Sequence, residues 1–176
     1  MLTAVRTGVV LVVPELDNAV DPWRRRTVPM AVLGVPVHVT VLFPWVASPV
    51  SAADVARLRS ALGGVPPLEL TFNTVSSFPQ GVVHLVPTPA AAVEAVVHRV
   101  AGAFPEHPPY EGEHADVQPH LTVALCAPQE LTATVRAVRA HLVPVLPRTV
   151  VVREVTVLSE QPDGRWVSSH RIGLQA

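Results

Sequence analysis

Two short stretches, "HVTVLFP" at 38–44 and "HLTVALC" at 120–126, each set a histidine and a threonine two residues apart inside an apolar run. Alternate side chains of a β-strand share a face, so His38 and Thr40 point one way while Val39 and Val41 point the other. His120 and Thr122 stand in the same relation to Leu121 and Val123. Strict alternation would add Leu42 and Ala124 to the histidine faces and put Phe43 and Leu125 on the apolar ones. The apolar faces belong against helices, which leaves the histidine faces to meet across a cleft. Two imidazoles and two hydroxyls converging there suit a phosphate ester. A neutral histidine takes a proton from an attacking water or hydroxyl, and a protonated one gives a proton to the leaving oxygen. The threonine hydroxyls donate to non-bridging phosphoryl oxygens as charge builds. Both proton transfers are covered, so no metal or other cofactor is called for.

The pattern H-x-[ST] is weak by itself. The plain alternative is a pair of satisfied, half-buried histidines whose threonines are simply good strand formers. What favours chemistry is the setting. Both motifs lie in apolar strands, both continue into valine, and both open equivalent units of the chain. After the His38 strand come "SPVSAADVARLRSALGG", with Ser51 as helix cap and Gly63-Gly64 as stop, then a strand at 68–78, a Pro-Gln-Gly turn and a strand at 82–87. After the His120 strand come a helix over 128–142 with Leu131, Val135, Val138 and Leu142 at helical spacing, a strand at 148–160, the turn "QPDG" and a strand at 165–174. This reads as an internal duplication, with a first unit at about 30–87 and a second at about 117–174 inside a single bilobal domain, 1–176. The fold class expected is α+β: two pseudo-symmetric lobes, each an antiparallel sheet with helices on its outer face, flanking a central cleft.

At 176 residues the chain is long enough for a substantial core. Its net charge of −1 gives no pull toward long duplex nucleic acid, although a nucleotide or an RNA end remains a fitting partner. Apolar runs fall short of the roughly 18–20 residues that span a bilayer. The first run, "GVVLVV" at 8–13, reads as a buried central strand of a cytoplasmic protein, and a monomer is expected. The lone Cys126 excludes an internal disulfide and reads as a small core residue. "ELDNAVDPWRRR" reads as a short helix or turn limited by Pro22, and the arginines at 24–26 as a solvated face.

Weaker site candidates surround the motifs. Trp45, just past the first, and Tyr110, in the loop before the second, are placed to stack on a base; Phe43 is assigned to the core. His107, His114 and Asp116 have loose metal-ligand spacing, but Pro105, Pro108, Pro109 and Pro119 mark a rigid surface connection, so no metal site is assigned. His84 and His170 fall in hairpin strands that run toward the cleft, with a surface or core role the simpler expectation.

"GVPVHVTVLFPW", "HLTVALC", an apolar first strand ending in Pro-Glu, "FPEHPPY" and "DGRW" together resemble the two-histidine phosphoesterases, which include bacterial 2′–5′ RNA ligase-like proteins and cyclic phosphodiesterases. The resemblance covers nearly the whole chain. It implies that His38 and His120 are an acid–base pair and that Thr40 and Thr122 bind phosphate. The implied reaction opens a 2′,3′-cyclic phosphate on an RNA end or nucleotide to a 2′-phosphate, with reversible 2′–5′ joining known of some relatives. In-line attack leans toward His120 as base and His38 as acid. The competing expectation is a module that binds a phosphorylated nucleotide or RNA end without turnover.

Overall fold

A computed structural model describes residues 5–112 and 118–175, without the side chains of residues 110 and 111. The chain builds β1 (Thr7–Val12), α1 (Asp17–Thr27), α2 (Pro29–Val32), β2 (His38–Leu42), α3 (Ala52–Ala61), β3 (Leu68–Phe78), β4 (Val82–Thr88), α4 (Ala90–Ala103), β5 (Leu121–Leu125), α5 (Leu131–Leu142), β6 (Arg148–Val152), β7 (Glu154–Glu160) and β8 (Trp166–Gly173). The strands form two antiparallel four-stranded sheets, in the orders β2-β1-β7-β8 and β5-β4-β3-β6, so the α+β two-sheet class expected from the sequence holds.

The sequence units and the sheets do not coincide. The apolar run 148–160 is not one strand. It breaks at Arg153, so that β6 closes the edge of the second sheet while β7 crosses to the first and pairs with β1. The first unit likewise gives β2 to one sheet and β3 and β4 to the other. In each sheet the histidine strand is an outer strand, and the strand beside it (β1 or β4) separates it from one contributed by the other half of the chain. Helices cross over too: α1 packs on β5 and α4 on β2. The main apolar core runs through both sheets, including Val9, Leu11, Val39, Phe72, Leu85, Leu121 and Val123, with Leu58, Val97 and Val138 from the helices.

Local signals set most element ends. Ser51 and Asp54 close a capping box on α3, as expected. On α5, Val138 and Leu142 are buried, with Leu131 and Val135 packed against the same core. Pro22 does not stop α1, which continues to Thr27. One backbone bond is lost there, but Val20 and Arg24, four residues apart on one face, are both buried and hold the helix down.

Gly81 ties the site strand into this frame. It turns the β3–β4 hairpin at φ +99°, and its carbonyl accepts the Cys126 N–H at 2.9 Å, anchoring the end of β5. A Cβ at this position would run into the Cys126 carbonyl oxygen. Gly81→Ala therefore combines left-handed strain of about 1–3 kcal/mol with a backbone clash. The expected result is a clear drop in the urea midpoint at unchanged slope; an unchanged midpoint would show that the turn relaxes freely.

Candidate active site

β2 and β5, outer strands of different sheets, lie against each other. On β2, Val39 and Val41 are buried while His38 and Thr40 are partly open; on β5, Leu121 and Val123 are buried while Thr122, and His120 just before the strand, are partly open. The two imidazoles are held alike. His38 Nδ1 donates to the carbonyl oxygen of Pro36 at 2.7 Å, and His120 Nδ1 donates to that of Gln118 at 2.8 Å. A carbonyl oxygen only accepts, so each Nδ1 carries hydrogen, and each Nε2 is left free to take or give a proton.

Both strands carry a break in alternation just beyond the threonine. Register shifts fall between Val9 and Val10 opposite β2 and between Val83 and His84 opposite β5. Consequently Leu42 joins Val41 in the main core and Ala124 joins Val123, which removes both from the histidine faces where strict alternation put them. Phe43 and Leu125 are correspondingly turned out of the core. Leu125 is exposed, and Phe43 packs in a second apolar cluster with Val10, Val12, Leu158 and Trp166. Val10 and Val12 pair with Thr40 and His38, so this cluster lies on the histidine face of the first sheet. The assignment of Phe43 to the helix-facing core is thus corrected: the half-buried ring packs on the smaller cluster, near Trp166 and under Arg6. The stacking role suggested for Trp45 is also corrected. Its ring is only 4% exposed and packs edge-on against Phe104 at 5.2 Å, leaving no free face for a base. The side chain of Tyr110, and His114 and Asp116 altogether, lie outside the described residues. Among the described residues no group of three or more His, Cys, Asp or Glu side chains is arranged to hold a metal ion.

Two residues bearing on the imidazoles carry plainer expectations from the sequence, Arg24 on a solvated face and His84 in the surface or core of a hairpin strand. Arg24 is no solvated cation; it is 3% exposed, pairs with Asp21 at 2.9 Å, and donates to the carbonyls of Val35 and Pro36. The Pro36 carbonyl therefore serves both Arg24 and His38, so the guanidinium fixes the peptide that orients the first imidazole. The i, i+4 relation to Val20 is the signal that could have placed it inside. His84 on β4 is buried and pairs across the sheet with Thr122. Its ring lies 5.3 Å from that of His120.

Electrostatics set the imidazoles apart. Burial lowers the pKa of His38 to about 4; the Pro36 carbonyl opposes this, and the charges of Arg24 and His120 add to it. Burial also lowers His120, with the Gln118 carbonyl opposing. His84 is lowered to about 4 by burial and then by the charge of His120. All three therefore favour the neutral form near pH 7 in the unliganded protein, and charge on His120 works against charge on both His38 and His84.

This fold, two antiparallel sheets whose adjoining outer strands each present an imidazole and a hydroxyl, is that of the two-histidine phosphoesterases. The chain belongs to the 2′-5′ RNA ligase superfamily, whose family profile matches residues 12–164. Among solved structures it is similar to LigT of Escherichia coli in complex with 3′-AMP (TM-score 0.64, 18% identity, covering 99% of this chain and 100% of that one). LigT in complex with NADP+ is comparable (TM-score 0.60, 19% identity, 98% and 99% covered). So is a structure described only as a phosphoesterase (TM-score 0.62, 18% identity, 99% and 100% covered). No curated protein matches the sequence.

Proposed function

We propose that the chain is a phosphodiesterase that opens 2′,3′-cyclic phosphates of nucleotides or RNA ends to 2′-phosphates without a metal. The observation that carries this reading is the pair of imidazoles locked in one tautomer on adjoining strands, each with a threonine two residues on. Water attacks phosphorus in line with the 3′ oxygen. One Nε2 takes a proton from the water, the P–O3′ bond breaks, and the other Nε2 gives a proton to the departing 3′ oxygen. Thr40 and Thr122 donate to the non-bridging oxygens as charge gathers on them. A 5′-hydroxyl in place of water would yield a 2′–5′ linkage by the same proton movements. Phe43, half-buried in the cluster on the histidine face of the first sheet, offers an apolar ring for a base to lie on. The LigT complexes with 3′-AMP and NADP+ support a nucleotide-sized substrate.

The resting charges bear on the division of labour. Burial, with the charge of Arg24 adding to it, makes His38 a poor proton carrier, and in this reading the proton of the working pair sits on His120. That makes His38 the base and His120 the acid, the reverse of the sequence-based lean. The one-proton state of the free site lies between about pH 4 and the lowered pKa of His120, so kcat/KM should peak on the acid side of 6.5. A bound phosphodiester anion favours the protonated imidazole, so the kcat profile should move to higher pH. Initial rates over pH 4–9 check both limbs; a kcat/KM optimum well above neutrality would contradict the assignment. Incubation with nucleoside 2′,3′-cyclic phosphates in the presence of chelator tests the function itself. Tight binding without product would instead favour a non-catalytic binding module.

A further inference from the structure

The two halves of the site are not equivalent, and the difference lies one strand behind each histidine strand. In the first sheet Thr40 pairs with Val10, which pairs in turn with Thr156. In the second, Thr122 pairs with His84, which pairs in turn with Ser76. Where one side has a valine, the other has a third imidazole. That ring stacks on Phe78 (centroids 4.3 Å apart, planes 30° apart), and His120 stands edge-to-face against Phe78 at 5.0 Å and 89°. His84 and His120 meet at 5.3 Å and 61°. His84 is only 4% exposed, and its Nδ1 makes no well-aligned hydrogen bond among the described residues, although the Val82 backbone two residues back is near enough to favour its protonated form. Its ring contacts at the site are with Phe78 and His120.

We propose that His84, stacked on Phe78, is a positioning residue for His120: the two rings brace the second imidazole with Nδ1 on the Gln118 carbonyl, and their faces stabilise the charge it holds when protonated. This rests on the phosphodiesterase reading only where turnover is concerned. Both ring centroids lie within the roughly 6 Å over which an aromatic face attracts a cation. His84 serves as such a face only while neutral, and burial together with the neighbouring His120 keeps it so down to about pH 4. Among the described residues, the charged or titratable groups brought to this corner are His84 from β4, His38 from β2, and Arg24 from α1, whose charge reaches His38. Among the described residues His38 has no ring pair of this kind, its cross-strand neighbour being Val12. The device therefore biases the shared proton toward His120.

The test uses the whole chain and two replacements of similar bulk. His84→Phe keeps a ring without nitrogens; His84→Leu keeps an apolar side chain without a ring, so desolvation of His120 changes little. Imidazole nitrogen NMR reads the titration midpoint and tautomer of His120 in each, and a nucleoside 2′,3′-cyclic phosphate reads turnover. In His84→Leu the His120 midpoint is expected to fall by about half a pH unit or more, the Nδ1–H tautomer to lose population, and kcat to fall about tenfold with KM little changed. His84→Phe should stay close to the parent in all of these. Phe78→Leu removes the other ring and should repeat the leucine result, so a misfolded His84 variant does not leave the idea untried. A leucine variant that titrates like the parent, or a phenylalanine variant as impaired as the leucine one, overturns the proposal. Absence of turnover in the parent would instead remove the phosphodiesterase reading, with the NMR titrations still deciding the role of His84.

Discussion

Replacing either His38 or His120 by alanine is expected to lower kcat on cyclic phosphates by about 10²–10⁴-fold, the range associated with one positioned acid or base. The fold should survive, because both rings are only partly buried and each makes its hydrogen bond to a carbonyl two residues away. Asparagine is an instructive second replacement. Its amide can still donate to the Pro36 or Gln118 carbonyl, but it cannot carry a proton, so His38→Asn and His120→Asn should be as inactive as the alanine variants. In the proposed mechanism the two imidazoles act on one transition state, so losing both should cost little more than losing one. Steady-state kinetics with circular dichroism as the folding control decide the matter. Retention of more than a tenth of the parental rate in either single variant would dismiss the paired mechanism.

The threonines come next in expected size. Thr→Val is nearly isosteric, keeps the branched β-carbon that suits a strand, and removes only the hydroxyl. Loss of one donor to a developing phosphoryl charge typically costs about 10²–10³-fold in kcat. Thr40→Val and Thr122→Val are expected to fall in that range, while Thr40→Ser and Thr122→Ser should retain most activity. The two sides need not respond equally. Thr122 sits beside His84 and Thr40 beside Val10, so the surroundings of the two hydroxyls differ in polarity. Valine variants within twofold of the parent would mean that other groups hold the phosphoryl oxygens, most directly backbone N–H groups.

The parts of this site legible in the sequence were those encoded locally. The H-x-T runs, the Ser51 cap, the helical spacing on α5 and the glycine turns all depend on residues within a few positions of each other. What escaped was set by distant partners. The break at Arg153 and the exchange of strands between the sheets follow from which edge each strand reaches, and no short-range pattern records that. The register shifts that turn Phe43 and Leu125 out of the core likewise depend on pairing with β1 and β4. Trp45 looked available because it follows the motif directly, yet its backbone N–H donates to the Thr7 carbonyl at 2.9 Å and the chain carries the ring inward onto Phe104. Arg24 was hidden by its neighbours: three consecutive arginines suggest a wet surface, but only Arg25 and Arg26 follow that rule. His84 became interpretable once the hairpin register set it opposite Thr122.

The most direct trial of the account is to follow a nucleoside 2′,3′-cyclic phosphate by phosphorus NMR with purified protein and excess chelator. The account expects the cyclic resonance to give way to the 2′-monophosphate alone, at a rate the chelator does not change. A 3′-monophosphate product, a reaction that stops when divalent ions are removed, or no reaction at all would contradict it.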